Sequence, residues 1–429
     1  MKLWHRGCGS QEQGQSLLML VVMIAGVVLF LGLAIDGGLA YLKRAQLAKA
    51  VDAATLTGMR NYALGQTAAK ALAQNTFTAN YGSTVGDANG PNGLSGSPSF
   101  SSNFTTDAAG NLYFTANAST TINTYFMRYF PQFSTVTVSN SAQVARDRLI
   151  MTLVLDKSGS MNFNGGCAAL PPALADFIGH FDNTIDSISV VTFSTLVSTD
   201  VPMQTGGFDA PITSLIDSMN CVTPGTPGGF FDGGTFSFGG LQASVPQETS
   251  LTIPPGQNAV KVVVFLTDGW ANSIQDVLPS CQSTAVDYGG CAPLEDQLGW
   301  CGFPNFWDPN TGKGVNCNVS TFPAQQPGNS GQFTEMNVSN DAMYRAEQVA
   351  LSLRLQTPPT FVYSVGVGNL INQDFLYQVA NDPNSSTYNN ALPTGVTYFV
   401  PDCPSATCAS EMDAAFQSLA SRILLRLTQ

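Results

Sequence analysis

The stretch LIMTLVLDKSGSM, Leu149 to Met161, constrains the fold more than any other. Leu149 to Leu155 is apolar or β-branched throughout, the composition of a parallel strand buried on both faces. It stops at Asp156 and gives way to a loop of small residues, Lys157-Ser158-Gly159-Ser160. A carboxylate and two hydroxyls at i, i+2 and i+4 make a cup of hard oxygens at the strand's C-terminal end. Such oxygens suit Mg²⁺, which prefers octahedral geometry and keeps some of its waters. Gly159 lacks a Cβ, so the loop can curl between the two serines.

Alone, Asp-x-Ser-x-Ser is also ordinary turn and capping chemistry. Two later stretches add to it. Gly233-Gly234-Thr235 is followed by Gly239-Gly240-Leu241, and Val262 to Thr267 is a second buried run that ends in Asp268-Gly269. Open α/β sheets bind ligands at the C-terminal ends of their strands, so both acids are expected at one edge. In this order Asp156, Ser158, Ser160, Thr235 and Asp268 resemble the von Willebrand factor A domain and its metal-ion-dependent adhesion site. The resemblance implies a doubly wound, mostly parallel α/β sheet over residues 149–429. It implies Mg²⁺, with Mn²⁺ or Ca²⁺ as alternatives, held by the hydroxyls of Ser158 and Ser160 and by Thr235 directly or through water. Asp156 and Asp268 would then hold coordinated waters and fix the serines. An open position on the ion would take an acidic side chain from a partner protein.

The N-terminus predicts a membrane anchor. Residues 1–16 are short and slightly basic, and Leu17–Ile35 is almost wholly apolar and uncharged. Nineteen residues at about 1.5 Å each can cross a hydrocarbon core of about 30 Å. A cleaved signal peptide is the alternative, but the apolar run is longer than the usual ~7–15 residues and no A-x-A site follows clearly. Helical spacing continues past the span through Leu39, Leu42, Leu47, Val51 and Ala54. From Gly14 to Met59 the chain resembles the N-terminal segment of TadE/TadG-like proteins of tight-adherence (Flp) pilus assembly. Gly14-Gln15-Ser16, Asp36, Tyr41, Arg44, Leu47, Ala50, Val51, Asp52-Ala53-Ala54 and Leu56 carry the likeness, while Thr55 and Thr57 interrupt the family's Ala-Leu pattern. The resemblance implies a single-pass protein of the bacterial inner membrane, with a stalk helix at 36–60 and pilus or surface proteins as partners. A pilin-like structural subunit, with the A-domain as scaffold, is the second reading. Asp36 reads as an interfacial residue at the edge of the span.

Charge and cysteine placement narrow the class. Residues 1–149 carry a net +4 and residues 150–429 a net −16. An acidic second half excludes phosphate neutralisation and so argues against nucleic acid. Of nine cysteines, only Cys8 precedes the apolar segment. Eight beyond it suggest disulfides in an oxidising compartment. Zinc is a poor alternative, since no C-x-x-C occurs. Lys43, Arg44 and Lys49 after the span favour a cytoplasmic C-terminus by the positive-inside rule. The cysteines oppose it, and long domains translocate regardless of flanking charge. Cys403 and Cys408 are close enough to close a local loop. No nucleophile–base pair accompanies the acids, and neither His5 nor His180 belongs to them, so a metal-dependent hydrolase is the weakest reading.

The remaining elements follow from periodicity. Residues 61–148 read as a small α+β module: a continued helix over Gln66–Asn75, a loop over Ser83–Ser102, and strands over Asn111–Thr120 and Ser134–Ala145. Tyr125 to Phe130 reads as a buried helix turn. In the A-domain, Pro171-Pro172 is expected to open a helix, and residues 196–232 to form a long connection. Ile188–Ser194, Phe361–Val367 and Val396–Val400 read as strands. Asp341–Leu355, Ile371–Ala380 and Glu411–Leu427 read as helices. Residues 270–338, with four cysteines, are too long for a structureless loop and predict a disulfide-stapled subdomain at the metal edge, an insertion the family does not normally carry.

Overall fold

A single helix, α1 (Gln13–Arg60), runs unbroken through the apolar segment and on into polar sequence. The computed structural model describes residues 13–81, 98–194, 196–221, 230–231, 234–276, 299–302, 306–308, 313–315, 324–332, 334–369, 371–401, 403 and 405–428. Two units form: residues 1–105 with 112–145, and residues 106–111 with 146–429.

In the first unit, Leu17 to Ile35 leave their side chains almost entirely exposed, as a lipid-facing segment would. Beyond it Leu47, Ala50, Val51, Ala54 and Met59 are buried. The helix expected to continue over Gln66–Asn75 is a separate one, α2 (Gln66–Tyr81). Gly65, at φ 88°, breaks the chain between the two, a conformation that a side chain would resist. Ala69, Ala73 and Phe77 of α2 are buried. Three strands, β1 (Ser99–Thr106), β2 (Leu112–Asn123) and β3 (Thr135–Arg146), make a sheet in that order. Alternation places Leu112, Phe114, Ala116, Ala118, Thr120 and Ile122 of β2 on the inner face. Phe114 lies over Gly58 of α1, where a Cβ would come within 2.4 Å of the ring.

Three expectations change here. Ser99–Ser102 belongs to β1, not to a loop; residues 83–97 lie outside the described residues. Tyr125–Phe130 does contain a short 3₁₀ turn, Met127–Tyr129, but it is not buried: Tyr125, Phe126, Tyr129 and Phe130 are exposed. Its backbone is held instead by Asp36, which is buried and not merely interfacial. The Asp36 carboxylate accepts the backbone N–H groups of Tyr125, Phe126 and Met127 at 2.7, 3.0 and 2.8 Å.

The second unit is a six-stranded sheet with helices on both faces. In chain order its elements are β4 (Arg148–Asp156), α3 (Ser160–Phe163), α4 (Gly166–Ile178), β5 (Ser187–Phe193), β6 (Val197–Val201), α5 (Asp209–Ser218), α6 (Ser237–Ser250) and β7 (Ala259–Thr267). Then come β8 (Ser273–Asp276), β9 (Gly299–Gly302), β10 (Phe306–Asp308), β11 (Lys313–Val315), α7 (Glu335–Arg354), β12 (Thr360–Val367), α8 (Gln373–Ala380), β13 (Thr397–Val400) and α9 (Cys408–Arg426). The strand order is β13-β12-β7-β4-β5-β6. All neighbours are parallel except β6, which runs antiparallel to β5 at the edge. Every residue of β4 and β5 is buried, which is why apolar and β-branched residues dominate both.

Successive residues point to opposite faces and build two cores. Leu149, Met151, Leu153 and Leu155 meet Leu174 and Phe177 of α4 and Phe416 and Leu419 of α9. Val154, Val191, Phe193, Val263 and Phe265 meet Leu241 of α6, Ala346 and Leu353 of α7, and Phe375 of α8. The sheet is therefore doubly wound, as expected.

Prolines 171 and 172 do not open α4; they lie inside it. Gly165, at φ 72°, turns the chain into the helix, and the two prolines forfeit bonds to carbonyls one turn back. The stretch 196–232 holds β6 and α5, so it is not a bare connection. Cys167 of α4 is disulfide-bonded to Cys221, and Cys403 to Cys408. Within the 270–338 insertion, the described residues form two antiparallel pairs, β8 with β9 and β10 with β11. The cysteine pairing expected there falls outside the described residues.

Candidate functional site

The strand order reverses direction around β4 and β7, the place where an open sheet leaves a crevice. Asp156 is the last residue of β4, and Asp268 follows the last residue of β7. Both are fully buried. The register pairs Leu155 with Leu266, so the two chains leave the sheet side by side.

The loop after β4 folds around Asp156. One carboxylate oxygen accepts the Ser158 backbone N–H at 2.7 Å; the other accepts the Thr267 hydroxyl at 2.5 Å. The serines meet, Oγ to Oγ, at 2.9 Å, and Ser160 Oγ donates to Asp268 Oδ1 at 2.7 Å. A continuous chain of oxygens therefore links Ser158, Ser160 and Asp268, while Asp156 braces the loop from below. Gly269 leaves room next to this chain: a Cβ there would be 3.8 Å from Ser160 Oγ.

Thr235 is buried just ahead of α6. Its backbone N–H donates to Asn272 Oδ1 at 2.8 Å, and its carbonyl accepts the Asn272 N–H at 3.1 Å. The glycine-flanked stretch is thus pinned to the segment just beyond Asp268. Two participants escaped the sequence reading. Asn164 donates to the second oxygen of Asp268 at 3.0 Å, and Thr267 donates to Asp156. An Asn after a short helical turn and a Thr at a strand end are too common to be flagged by spacing. Gly368 packs on Asn164, where a Cβ would lie 3.3 Å from Asn164 Cβ.

Electrostatics favour a cation. Burial raises the Asp156 carboxyl well above the usual carboxylate range, and the neighbouring Asp268 raises it further, against the hydrogen bonds from Ser158 and Thr267. Burial raises Asp268 likewise, opposed by hydrogen bonds from Ser160 and Asn164. Among the described residues no positive charge compensates these two desolvated carboxyls at one edge. A small divalent ion with oxygen ligands would supply it, and the hydroxyl-rich donor set fits a hard ion. Among the described residues no group of three His, Cys, Asp or Glu could hold a metal, which leaves this mixed carboxylate–hydroxyl cup as the candidate.

Family models match two segments of the chain, together less than half of its length. Residues 14–61 match the family model for Flp pilus-assembly TadE/G-like proteins. Residues 151–292 match the von Willebrand factor type A domain. The chain therefore holds a Tad-like segment and a von Willebrand factor A-like domain. Solved structures similar to it include the pilus adhesin SpaC from Lactobacillus rhamnosus GG, at 13% identity over 77% of this chain and 35% of that one, TM-score 0.38. Another is the vWF domain of the type V pili tip protein Mfa5 from Porphyromonas gingivalis, at 13% identity over 66% of this chain and 97% of that one, TM-score 0.38. A third is proximal thread matrix protein 1 from the mussel byssus with a zinc-occupied MIDAS motif, at 18% identity over 63% and 46%, TM-score 0.32. The chain thus spans less than half of SpaC and of the mussel protein. TM-scores below 0.5 at these identities carry no argument about function. No curated protein matches the sequence.

Proposed function

We propose that this protein is a membrane-anchored pilus-assembly or adhesion protein whose A-domain binds partner proteins through a divalent cation, Mg²⁺ first. One observation carries the reading: two buried carboxylates and two serine hydroxyls meet at the C-terminal edge of a doubly wound sheet. Ser158, Ser160 and Thr235 would hold the ion, with Asp156 and Asp268 positioning them and neutralising its charge. The ion would supply an electrophilic open position to an acidic side chain of a pilus or surface protein. Asp156 keeps Ser158 aimed, and Asn164 keeps Asp268 aimed, so both serines stay presented.

The tether is α1, crossing the inner membrane once, with the A-domain outside the cytoplasm. The two disulfides among the described residues support that side of the membrane, because they persist in oxidising compartments. This is binding chemistry without turnover. A second reading, a pilin-like subunit with the A-domain as scaffold, draws on the unbroken α1 and the Tad match to residues 14–61.

Calorimetric titration of Mg²⁺ and Mn²⁺ into the full chain in detergent micelles tests the proposal. One ion is expected to bind, and Asp156→Ala should abolish the heat while preserving the far-UV circular dichroism. Equal binding by Asp156→Ala would refute the site. Absence of binding by the native chain would favour the scaffold reading.

A further inference from the structure

The exposed aromatic turn is unusual for its company. Between Thr124 and Ser134 the chain reads TYFMRYFPQFS, with five aromatic rings and one charge. Tyr129 is 77% exposed and Phe130 50%. Such a cluster on a water-facing surface would be costly and adhesive. It does not face water alone: it stands beside the apolar part of α1. Phe126 sits so close to Gly32 that a Cβ there would come within 2.6 Å of it. Between the turn and the helix runs an apolar groove of about 1000 Å³, lined by α1 from Val21 to Leu33 and by Phe126, Tyr129, Phe130 and Phe133.

We propose that Tyr125–Phe133 is a second lipid-contacting element, an aromatic wedge that enters the leaflet beside α1 and holds phospholipid acyl chains in the groove between them. The inference rests on α1 crossing the bilayer. Placing Leu17–Ile35 across the hydrocarbon carries the turn in with it, because the groove walls cover about 18 Å of that same helix. If the turn stayed outside, too few apolar residues would remain to span.

Non-helical backbone at that depth must have its polar groups satisfied within the protein. Asp36 does this for three successive N–H groups. The N–H of Thr124 bonds Ser134 O, that of Phe130 bonds Met127 O, and that of Phe133 bonds Phe130 O. The Thr124 hydroxyl closes on Phe133 O at 2.7 Å, and Pro131 has no N–H to satisfy. Arg128, exposed beside the Tyr129 ring at 5.9 Å, has the reach to snorkel to headgroups. The occupant is lipid and not a second protein, since the groove continues the lipid-facing surface of α1 and its lining, Gln132 apart, is apolar or aromatic.

The test places a photo-crosslinking p-benzoylphenylalanine at Tyr129, at Leu29 on α1, or at Phe163, an exposed residue of the A-domain. The full chain is reconstituted in phosphatidylethanolamine–phosphatidylglycerol vesicles, irradiated and analysed by mass spectrometry. Lipid adducts at Tyr129 and Leu29, with none at Phe163, are expected. Adduct at Leu29 but not at Tyr129 overturns the wedge while leaving the membrane anchor intact. Absence of adduct at both positions overturns the anchor and the wedge with it. A cross-linked dimer at Tyr129 in place of a lipid adduct overturns lipid as the occupant and assigns the groove to a second copy.

Discussion

Glu248 offers a measurement in which two accounts of the A-domain core predict opposite signs. It lies on α6, fully buried against the sheet. Its Oε1 accepts the Thr152 hydroxyl at 2.6 Å, Ser189 donates in turn to Thr152 at 2.9 Å, and Oε2 has no hydrogen-bond partner among the described residues. Burial pushes the carboxyl up from 4.5 to about 8, against the Thr152 hydrogen bond and the attraction of Lys261. The folded protein therefore holds a proton that the unfolded chain releases above about pH 4.5. A raised carboxyl stabilises fully below the unfolded value, and that stability is lost as pH rises toward 8. The slope is about 1.4 kcal/mol per pH unit, so about 3–5 kcal/mol disappears across the window. Glu248→Gln keeps the acceptor for Thr152 and cannot ionise. It should match the native protein at pH 5 and exceed it at pH 8, with about 2–4 °C of melting temperature per kcal/mol in a domain of this size. Scanning calorimetry of the A-domain transition at both pH values gives the answer. If Glu248→Gln is less stable at pH 8, Glu248 is ionised and paired with Lys261, and the buried carboxyl is not protonated there.

Other outcomes are expected. Lowering the pH should weaken Mg²⁺ binding, because protons compete for Asp156, raised to about 7, and Asp268, raised to about 6; a calorimetric affinity that is flat between these values and pH 5 would contradict it. Asn164→Ala should weaken metal affinity by about tenfold by freeing Asp268, with little effect on the melting temperature of the metal-free protein. Gly395→Ala would place a methyl 1.8 Å from the Val362 carbonyl oxygen and 2.5 Å from that of Ala380; a loss of about 3 kcal/mol or more is expected in denaturant titrations. Asp186→Asn breaks a buried bidentate pair with Arg146, at 2.9 and 2.7 Å, and should cost about 3–5 kcal/mol.

The strands that were legible in the sequence are those buried on both faces. Leu149–Leu155 and Val262–Thr267 read as strands because every side chain meets a core, and their terminal acids stand out by contrast. Strand β1, SFSSNFTT, was illegible because one face is open and polar. Helix α6 contains Gly239, Gly240 and Pro246, each a poor helix former. It forms because Gly240 lets it approach the sheet: a Cβ there would strike Phe193 at 2.6 Å. Packing overrides propensity at that point, and propensity is what a sequence displays. The role of Asp36 was hidden for a different reason. Its three donors lie about ninety residues away along the chain, so only the fold reveals why an acid closes the apolar segment.

The continuity of α1 also has a mechanical meaning. Its far end turns back through Gly65 into α2, so the two helices lie antiparallel and share a core of Leu47, Val51, Ala54, Ala73 and Phe77. A tug on the N-terminal end would pull α1 along its own axis, and its packed side chains would resist together in shear. A tether built this way should yield abruptly, as one rupture in a single-molecule pull on the N-terminus, with little extension beforehand.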